Sequence, residues 1–439
     1  MVIYKKQIRK IFYIFLATHL ILWTLIPSLT NSNLPLDTIE ALAWGGNLDW
    51  GFNKHPPMSA LFVEIVYNIF GSNDWAYYLL SQIFIIFSFF IIFQLSKEIL
   101  GNENLALVSV LLLEGIYFYN FTTPEFNVNV CQIPFWVLTV YYSWKIFNQK
   151  IPKFKDCVIV GMFAAGGFLS KYLFIYLLIS IDLFFIYLIF FKKDRKFHFN
   201  YIFTLEVFLV LLIPHIIWLF NNDFITVTYG LSRSSADVST ILDHLFYPLV
   251  FVFKQVGILI PFFVMFYFLI KKFKLNYSLK DKNLLFLISI NILPIVLILL
   301  TSMLMGSKIR TMWMTPFYLF FGTLLVYIFE KYINKNFKSF IISFLILFLL
   351  SPITYAYVSI IKTDKRTDYP GKQIAEKVQK KWNSEFEDPI NVVLGNEWNA
   401  GNLSYHLKTR PVWDGEVDEN KLDGYKVYIC IDNICVGNR

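Results

Sequence analysis

The chain has 439 residues, 56% of them hydrophobic and 19% aromatic, and a formal net charge of +8. So much apolar surface cannot be hidden inside a soluble protein of this length. The positive charge does not point to nucleic acid, because Lys and Arg sit mainly in short loops between apolar runs, which is the topology signal of an integral membrane protein. Apolar runs near bilayer length recur, and the alternation of a membrane β-barrel is absent, so the expected class is an all-α polytopic membrane protein.

In chain order, MVIYKKQIRK precedes the first apolar run without a convincing small-residue cleavage site, and is expected to be an uncleaved anchor. Spans are predicted near 11–29, 75–94, 105–121, 128–147, 157–170, 172–191, 201–220, 245–270, 283–303, 312–329 and 339–360, about eleven in all. The basic loops are the N-terminus, 148–156, 192–198, 271–282 and 330–338. With the N-terminus inside, each of them falls on the cytoplasmic side. The other face then receives 30–74, 122–127, Lys171, 221–244, 304–311 and everything after 361. Met58–Phe70 is apolar but short, carries Glu64 and follows Pro56-Pro57, so it reads as an interfacial helix.

After Ile361 the composition turns charged. The sequence divides into a membrane domain, 1–361, with an outer loop 30–74, and a small soluble α/β domain, 362–439. The latter is expected to hold a helix opening at Tyr369-Pro370, a strand Asn391–Leu394, a short helix Asn402–Leu407 and a hairpin Lys426–Val436. Cys430 and Cys435 flank a possible Asp432-Asn433 turn, which would place them within disulfide reach and imply an oxidising compartment. Two free thiols are the alternative. Cys131 and Cys157 lie in or beside apolar runs and are read as packing residues.

The residues with chemistry crowd into the outer segments. Leu34–Pro57 carries Asp37, Glu40 and Asp49, the tryptophans Trp44 and Trp50, and Lys54-His55-Pro56-Pro57. A carboxylate just beyond a span can act as general base on an acceptor or position it; the bland alternative is a solvated loop acid. Prolines fix the backbone where Lys54 and His55 are presented, so a phosphate could be held there; a juxtamembrane lysine meeting lipid headgroups is the alternative. The short loop Thr122–Asn127 brings Glu125 to the same surface, as a second acid or as a polar helix cap. Positive-inside bias disfavours outer cations, yet Lys54, Lys171, Arg233, Lys308 and Arg310 all fall there, and a lipid-linked phosphate or pyrophosphate is the economical reason. The histidines show no metal-ligand spacing; no metal and no cofactor is expected, a divalent ion being possible but unsupported. His215, after Pro214 in a span, is expected to make a buried hydrogen bond.

Together these residues resemble the membrane glycosyltransferases of the GT-C type, above all the dolichyl-phosphate-mannose-protein mannosyltransferase-like family (glycosyltransferase family 39), which includes the aminoarabinose transferase of lipid A. Asp37-Thr38-Ile39-Glu40 resembles the family's acidic motif after the first span, and Lys54-His55-Pro56-Pro57-Met58 its Lys/His-Pro-Pro-Leu element. Thr123-Pro124-Glu125 resembles its Thr-Pro-Asp element, Leu169-Ser170-Lys171-Tyr172 its Leu-Ser-Lys-Tyr, and Pro214 through Trp218 its Pro-x-x-x-Trp. The departures are Thr38 where the family usually has Glu, Glu125 for Asp, and His55 where some members have Lys.

The resemblance implies a GT-C fold with 11–13 transmembrane helices and inverting transfer of a sugar from a polyprenyl (undecaprenyl) phosphate donor. Asp37, Glu40 and Glu125 would be the catalytic acids. Lys54, His55, Lys171, Arg233, Lys308 and Arg310 would hold the donor phosphate, and Trp44, Trp50 and Tyr172 would touch sugar or lipid. The expected setting is the bacterial inner membrane with site and C-terminus periplasmic. The expected acceptor is a lipid or glycolipid, lipid A or lipopolysaccharide first, with a protein hydroxyl as the alternative. A membrane transporter is the rival; it predicts inverted repeats and midplane acids, and neither is seen.

Overall fold

Apolar segments without water can satisfy their backbone only as helices, and most of the chain does so. The computed structural model describes residues 5–234, 240–274, 278, 280–334, 337–418, 422–431 and 434–438. Among these, seven helices are long and apolar enough to cross a bilayer: Lys6–Thr30, Asp74–Leu100, Tyr172–Phe191, Asn200–Asn221, Asp243–Leu269, Lys282–Met305 and Lys338–Ile361. The pair Thr311–Tyr318 and Phe321–Tyr332, bent by 51°, gives up to eight. The count by helix length and apolarity is thus lower than the eleven apolar runs of the sequence, three of which form shorter or interrupted helices. The run at 105–121 leaves the α-helix at Leu111 and ends in the 3₁₀ turns Leu112–Gly115 and Tyr117–Tyr119. The run at 128–147 is interrupted between Val128–Cys131 and Ile133–Asn148, where Pro134 lacks a donor. The run at 157–170 becomes Phe154–Ser170, a helix of 17 residues. All three are largely buried among the longer helices. The protein is a multi-pass membrane protein.

The basic loops meet at one end of the helices. The Arg9 guanidinium and Lys97 both reach Glu103, at 2.7 and 3.3 Å. Arg195 donates to the Gln149 carbonyl at 2.6 Å, tying loop 192–198 to loop 148–156. Lys282 pairs with Asp194 at 3.2 Å. A bridge between Ile270 and Ile333, with Lys271 donating to the Tyr332 carbonyl at 2.8 Å, joins the last two basic loops. Charge counting thus sorted the loops correctly by end. Between the ends, aromatic side chains such as Phe12, Phe89, Tyr119 and Trp136 fill the interior.

Beyond Ile361 the chain builds a four-stranded sheet in the order β2-β1-β4-β3, from β1 (Val392–Leu394), β2 (Val412–Trp413), β3 (Val427–Ile431) and β4 (Ile434–Asn438). β1 and β2 are parallel; β4 runs antiparallel to both β1 and β3. Helices Gly371–Glu385 and Glu397–His406 contribute to a separate small core around Trp382, Val393 and Leu403. The second helix starts earlier than expected because Asn396 caps it, its side chain accepting from the Asn399 N–H at 2.9 Å. In the hairpin Cys430 faces Cys435 and the two form a disulfide; the Asp432-Asn433 turn lies outside the described residues. Cys131 and Cys157 are free and buried.

This C-terminal segment is docked on the outer loop 30–74. Arg410, held at φ 51°, donates to the Leu42 carbonyl at 2.6 Å and to Glu64 at 2.7 Å, and lies 4.3 Å from the Tyr67 ring centre. Tyr405 donates to Asp74 at 2.6 Å, and His406 contacts Asn33 at 3.1 Å. Met58–Phe70 is a helix as expected, with Glu64 buried beneath Arg410. Breaking a buried pair leaves one charge uncompensated, so Arg410→Ala should destabilise the protein by about 3 kcal/mol. Thermal unfolding and proteolysis of the 362–371 segment would show it. Maleimide labelling of the denatured chain should count two thiols before reduction and all four afterwards, since the sequence has four cysteines and two are bridged.

Candidate active site

The helix Leu36–Gly45 begins after Pro35, which offers no side-chain cap. Its open first-turn donors need partners from elsewhere. The Glu125 carboxylate supplies one, accepting from the Asp37 N–H at 3.0 Å. Asp37 itself stands in the first turn, where the helix dipole favours an anion. Thr38 donates to the Phe126 carbonyl at 3.1 Å, so the two acid-bearing outer segments are stitched together. Glu125 is held by a tight turn: Asn127 caps the helix Val128–Cys131, and Gln82 donates to Thr123 at 3.0 Å. Burial raises both carboxyls. Glu125 is pushed up to about 8 by burial first and then by the neighbouring Asp37 charge. For Asp37, Lys171 and Lys54 oppose the rise.

The loop after this helix is clamped by the Pro214–Trp218 element. His215 bridges the Trp50 carbonyl at 2.5 Å and the Tyr172 hydroxyl at 2.7 Å, which is the buried hydrogen bonding expected of it. Trp218 donates to Asp49 at 2.7 Å, and its ring lies against Gly51, where a Cβ would come within 2.4 Å of the indole. Thr226 donates to the Phe52 carbonyl at 2.6 Å. His55 sits edge-on to Trp44 and Tyr229. Burial, then Lys171 and Lys54, lower its pKa to about 3, so a place for His55 beside a phosphate would be that of an uncharged hydrogen-bonding group. Trp44 is buried, stacked on Phe52, and donates to Glu397 at 3.1 Å; Trp50 is exposed. Neither lines the cavity described below.

Lys54 is held between two carboxylates, Glu40 at 2.9 Å and Glu397 of the C-terminal segment. Burial raises Glu40, and the Lys54 hydrogen bond opposes that rise. Sequence reasoning missed Glu397, Glu64 and Arg410, since nothing near them in the chain marks them. Asn396 before Glu397 signals only a helix start.

Lys171 lies where the chain turns extended between Phe154–Ser170 and the 3₁₀ turn Tyr172–Phe174. Gly167 permits the turn, because a Cβ there would meet the Phe174 ring at 2.2 Å. The ammonium donates to the Asn129 side chain and lies 5.3 Å from the Trp313 ring centre. Burial lowers its pKa to about 7, Asp37 opposing and Arg310 adding to the fall.

These groups surround one cavity of 600 Å³. All five outer cations, Lys54, Lys171, Arg233, Lys308 and Arg310, line it, together with Asp37, Glu40, His55 and Tyr172. The Lys308 N–H donates to the Ser234 carbonyl at 2.8 Å, joining the two loops that carry the last three cations. Leu173, Ile175, Ile298 and Met305 make an apolar side. Glu125 lies behind Asp37, outside this lining. Among the described residues no group of three or more His, Cys, Asp or Glu is placed to hold a metal ion. The arrangement can hold an anion with an apolar tail beside half-buried acids.

Residues 54–218 match the family model of dolichyl-phosphate-mannose-protein mannosyltransferase. The structure is similar to ArnT from Cupriavidus metallidurans bound to undecaprenyl phosphate, with a TM-score of 0.65 and 11% identity over 94% of this chain and 87% of that one. It is similar to the apo state of the same protein with a TM-score of 0.63 and 11% identity, over 94% and 86%. No curated protein matches the chain by sequence. The chain thus carries a stretch that matches the protein-mannosyltransferase family model and shares the fold of ArnT over nearly its whole length.

Proposed function

We propose that this protein moves a sugar from a polyprenyl phosphate to a hydroxyl on an acceptor molecule, with inversion. The observation that carries the reading is the meeting of five cations, the half-buried acids Asp37 and Glu40 and an apolar wall in a single cavity. A lipid phosphate needs both kinds of wall. The likeness to a protein bound to undecaprenyl phosphate supports the same carrier here. In the transfer the acceptor oxygen attacks the anomeric carbon and its proton passes to the Asp37 carboxylate. The bond from that carbon to the phosphate oxygen breaks, and the phosphate leaves with the electron pair. Lys171, Arg233, Lys308 and Arg310 stabilise the charge that grows on it. Lys54, already shared by Glu40 and Glu397, chiefly fixes the loop and offsets Asp37. Glu40 positions Lys54, and Tyr172 touches the donor from the cavity wall.

The acceptor proposed is a lipid or glycolipid, with lipid A or lipopolysaccharide first, reached from the periplasmic face of a bacterial inner membrane. The Cys430–Cys435 disulfide supports an oxidising compartment on that side. The C-terminal segment 362–439 would then be a small periplasmic domain that completes the site through Glu397.

Asp37→Asn should lower transfer by roughly a hundredfold or more while donor binding persists, as expected when a general base is removed. Transfer from purified polyprenyl-phosphate sugar by the variant at a near-normal rate would remove Asp37 from the mechanism. Lys171 is charged only below its pKa of about 7. Undecaprenyl phosphate affinity should therefore weaken as pH rises through neutrality, and Lys171→Arg, charged throughout, should flatten that profile. Binding titrations across the pH range would read both.

A further inference from the structure

Near the middle of the first spanning helix, Lys6–Thr30, a histidine meets an acid. His19 Nδ1 lies 2.8 Å from the Glu114 carboxylate, and both side chains are fully buried. The rings of Phe89, Phe15 and Phe348 surround the imidazole, with centres 5.6, 6.0 and 6.5 Å away. The other ring nitrogen of His19 and the other oxygen of Glu114 have no hydrogen-bond partner among the described residues. Ionisable groups are costly in such a place, and exchanging a buried pair for apolar packing is often neutral or stabilising. Stability alone does not call for this pair.

What the pair holds is a break in the chain. Glu114 stands in the 3₁₀ turn Leu112–Gly115, where the apolar run leaves the α-helix. The stretch LLLEGIYFYNF, residues 111–121, contains no proline to force that exit. A 3₁₀ turn rotates successive residues by about 120° where an α-helix rotates them by about 100°. Over the three residues from Leu111 to Glu114 the side chain therefore swings roughly 60° from its α-helical direction. A helix that ran on would aim Glu114 elsewhere.

From the break, hydrogen bonds lead outward. The Glu114 carbonyl accepts from the Asn120 side chain at 2.9 Å. The Asn120 carbonyl accepts from the Thr123 N–H at 3.1 Å and from its hydroxyl at 2.7 Å. Ser81 and Gln82, on the spanning helix Asp74–Leu100, both donate to Thr123. Two residues further on, Glu125 accepts from the Asp37 N–H at 3.0 Å. The buried pair is thus tied to the first turn of the helix that presents Asp37.

We propose that His19 and Glu114 are positioning residues for the transfer: by pinning the unwound stretch 112–121 they set where Glu125, and through it Asp37, stands. The inference rests on the transferase reading above. The cations assigned to the donor phosphate sit on other segments, so loss of the pair slows the transfer step and leaves donor binding alone.

The test uses the full chain in detergent micelles and two double variants. His19→Phe with Glu114→Leu replaces the pair by apolar packing, and His19→Glu with Glu114→His reverses it. The apolar pair should unfold at no lower temperature than the unsubstituted protein and bind undecaprenyl phosphate with unchanged Kd. It should transfer sugar at roughly a tenth of the rate or less, the scale of a small misplacement of a reacting group. Backbone amides at the start of Leu36–Gly45 should exchange with deuterium faster, since the Asp37 N–H loses its fixed partner. The reversed pair should recover both rate and protection. The proposal is overturned if the apolar pair transfers at the unsubstituted rate, if it fails to fold, if its donor affinity falls along with its rate, or if the reversed pair folds and stays slow. Unchanged amide exchange in the apolar pair would also overturn it, and that readout needs no sugar. The transferase reading fails separately, if the unsubstituted protein moves no sugar from a polyprenyl phosphate.

Discussion

Lys54 held between Glu40 and Glu397 is the contact on which the site depends. It is the point where the helix Leu36–Gly45, the loop after it and the C-terminal segment share a charge. A half-buried ammonium with two carboxylate partners is stable where one with none would cost several kcal/mol. The same helix is gripped on its other side by Arg410, so the acid motif is fixed from outside the membrane as much as from within.

Around that clamp the cavity is built with more positive than negative charge. Lys54 is more than neutralised by its two acids, but Lys171, Arg233, Lys308 and Arg310 share the cavity with Asp37 as the remaining acid of its lining. Burial, with a smaller push from Arg310, makes Lys171 give up part of its charge near neutral pH. An arriving phosphate would restore it and supply what the protein withholds. Ligand binding and site stability are thereby coupled, since whatever binds only the folded site stabilises the fold.

Much of this was legible in the residues. Apolar runs and loop charge separated the two ends, because burial and positive-inside bias act locally along a chain. The acid, cation and proline elements could be found because polar residues beside a span are rare without a use. The number of long unbroken helices was not legible, since periodicity does not register the breaks at Leu111 and Gln132, where tertiary packing replaces a helical turn. That Trp44 and Trp50 lie outside the cavity was not legible for a related reason. An aromatic near the interface reads the same whether it lines a cavity or props a loop. Glu397 and Arg410 were invisible because their partners lie in distant parts of the chain.

The sheet that carries Glu397 has a property of its own. Its two rims are β2, only two residues long, and β3, tethered to β4 through Cys430 and Cys435. A stub offers too few open amides to template a neighbouring chain, and a strand fastened to its partner cannot peel away to recruit one. Copies crowded at a membrane surface can thus stand side by side without their sheets zipping together.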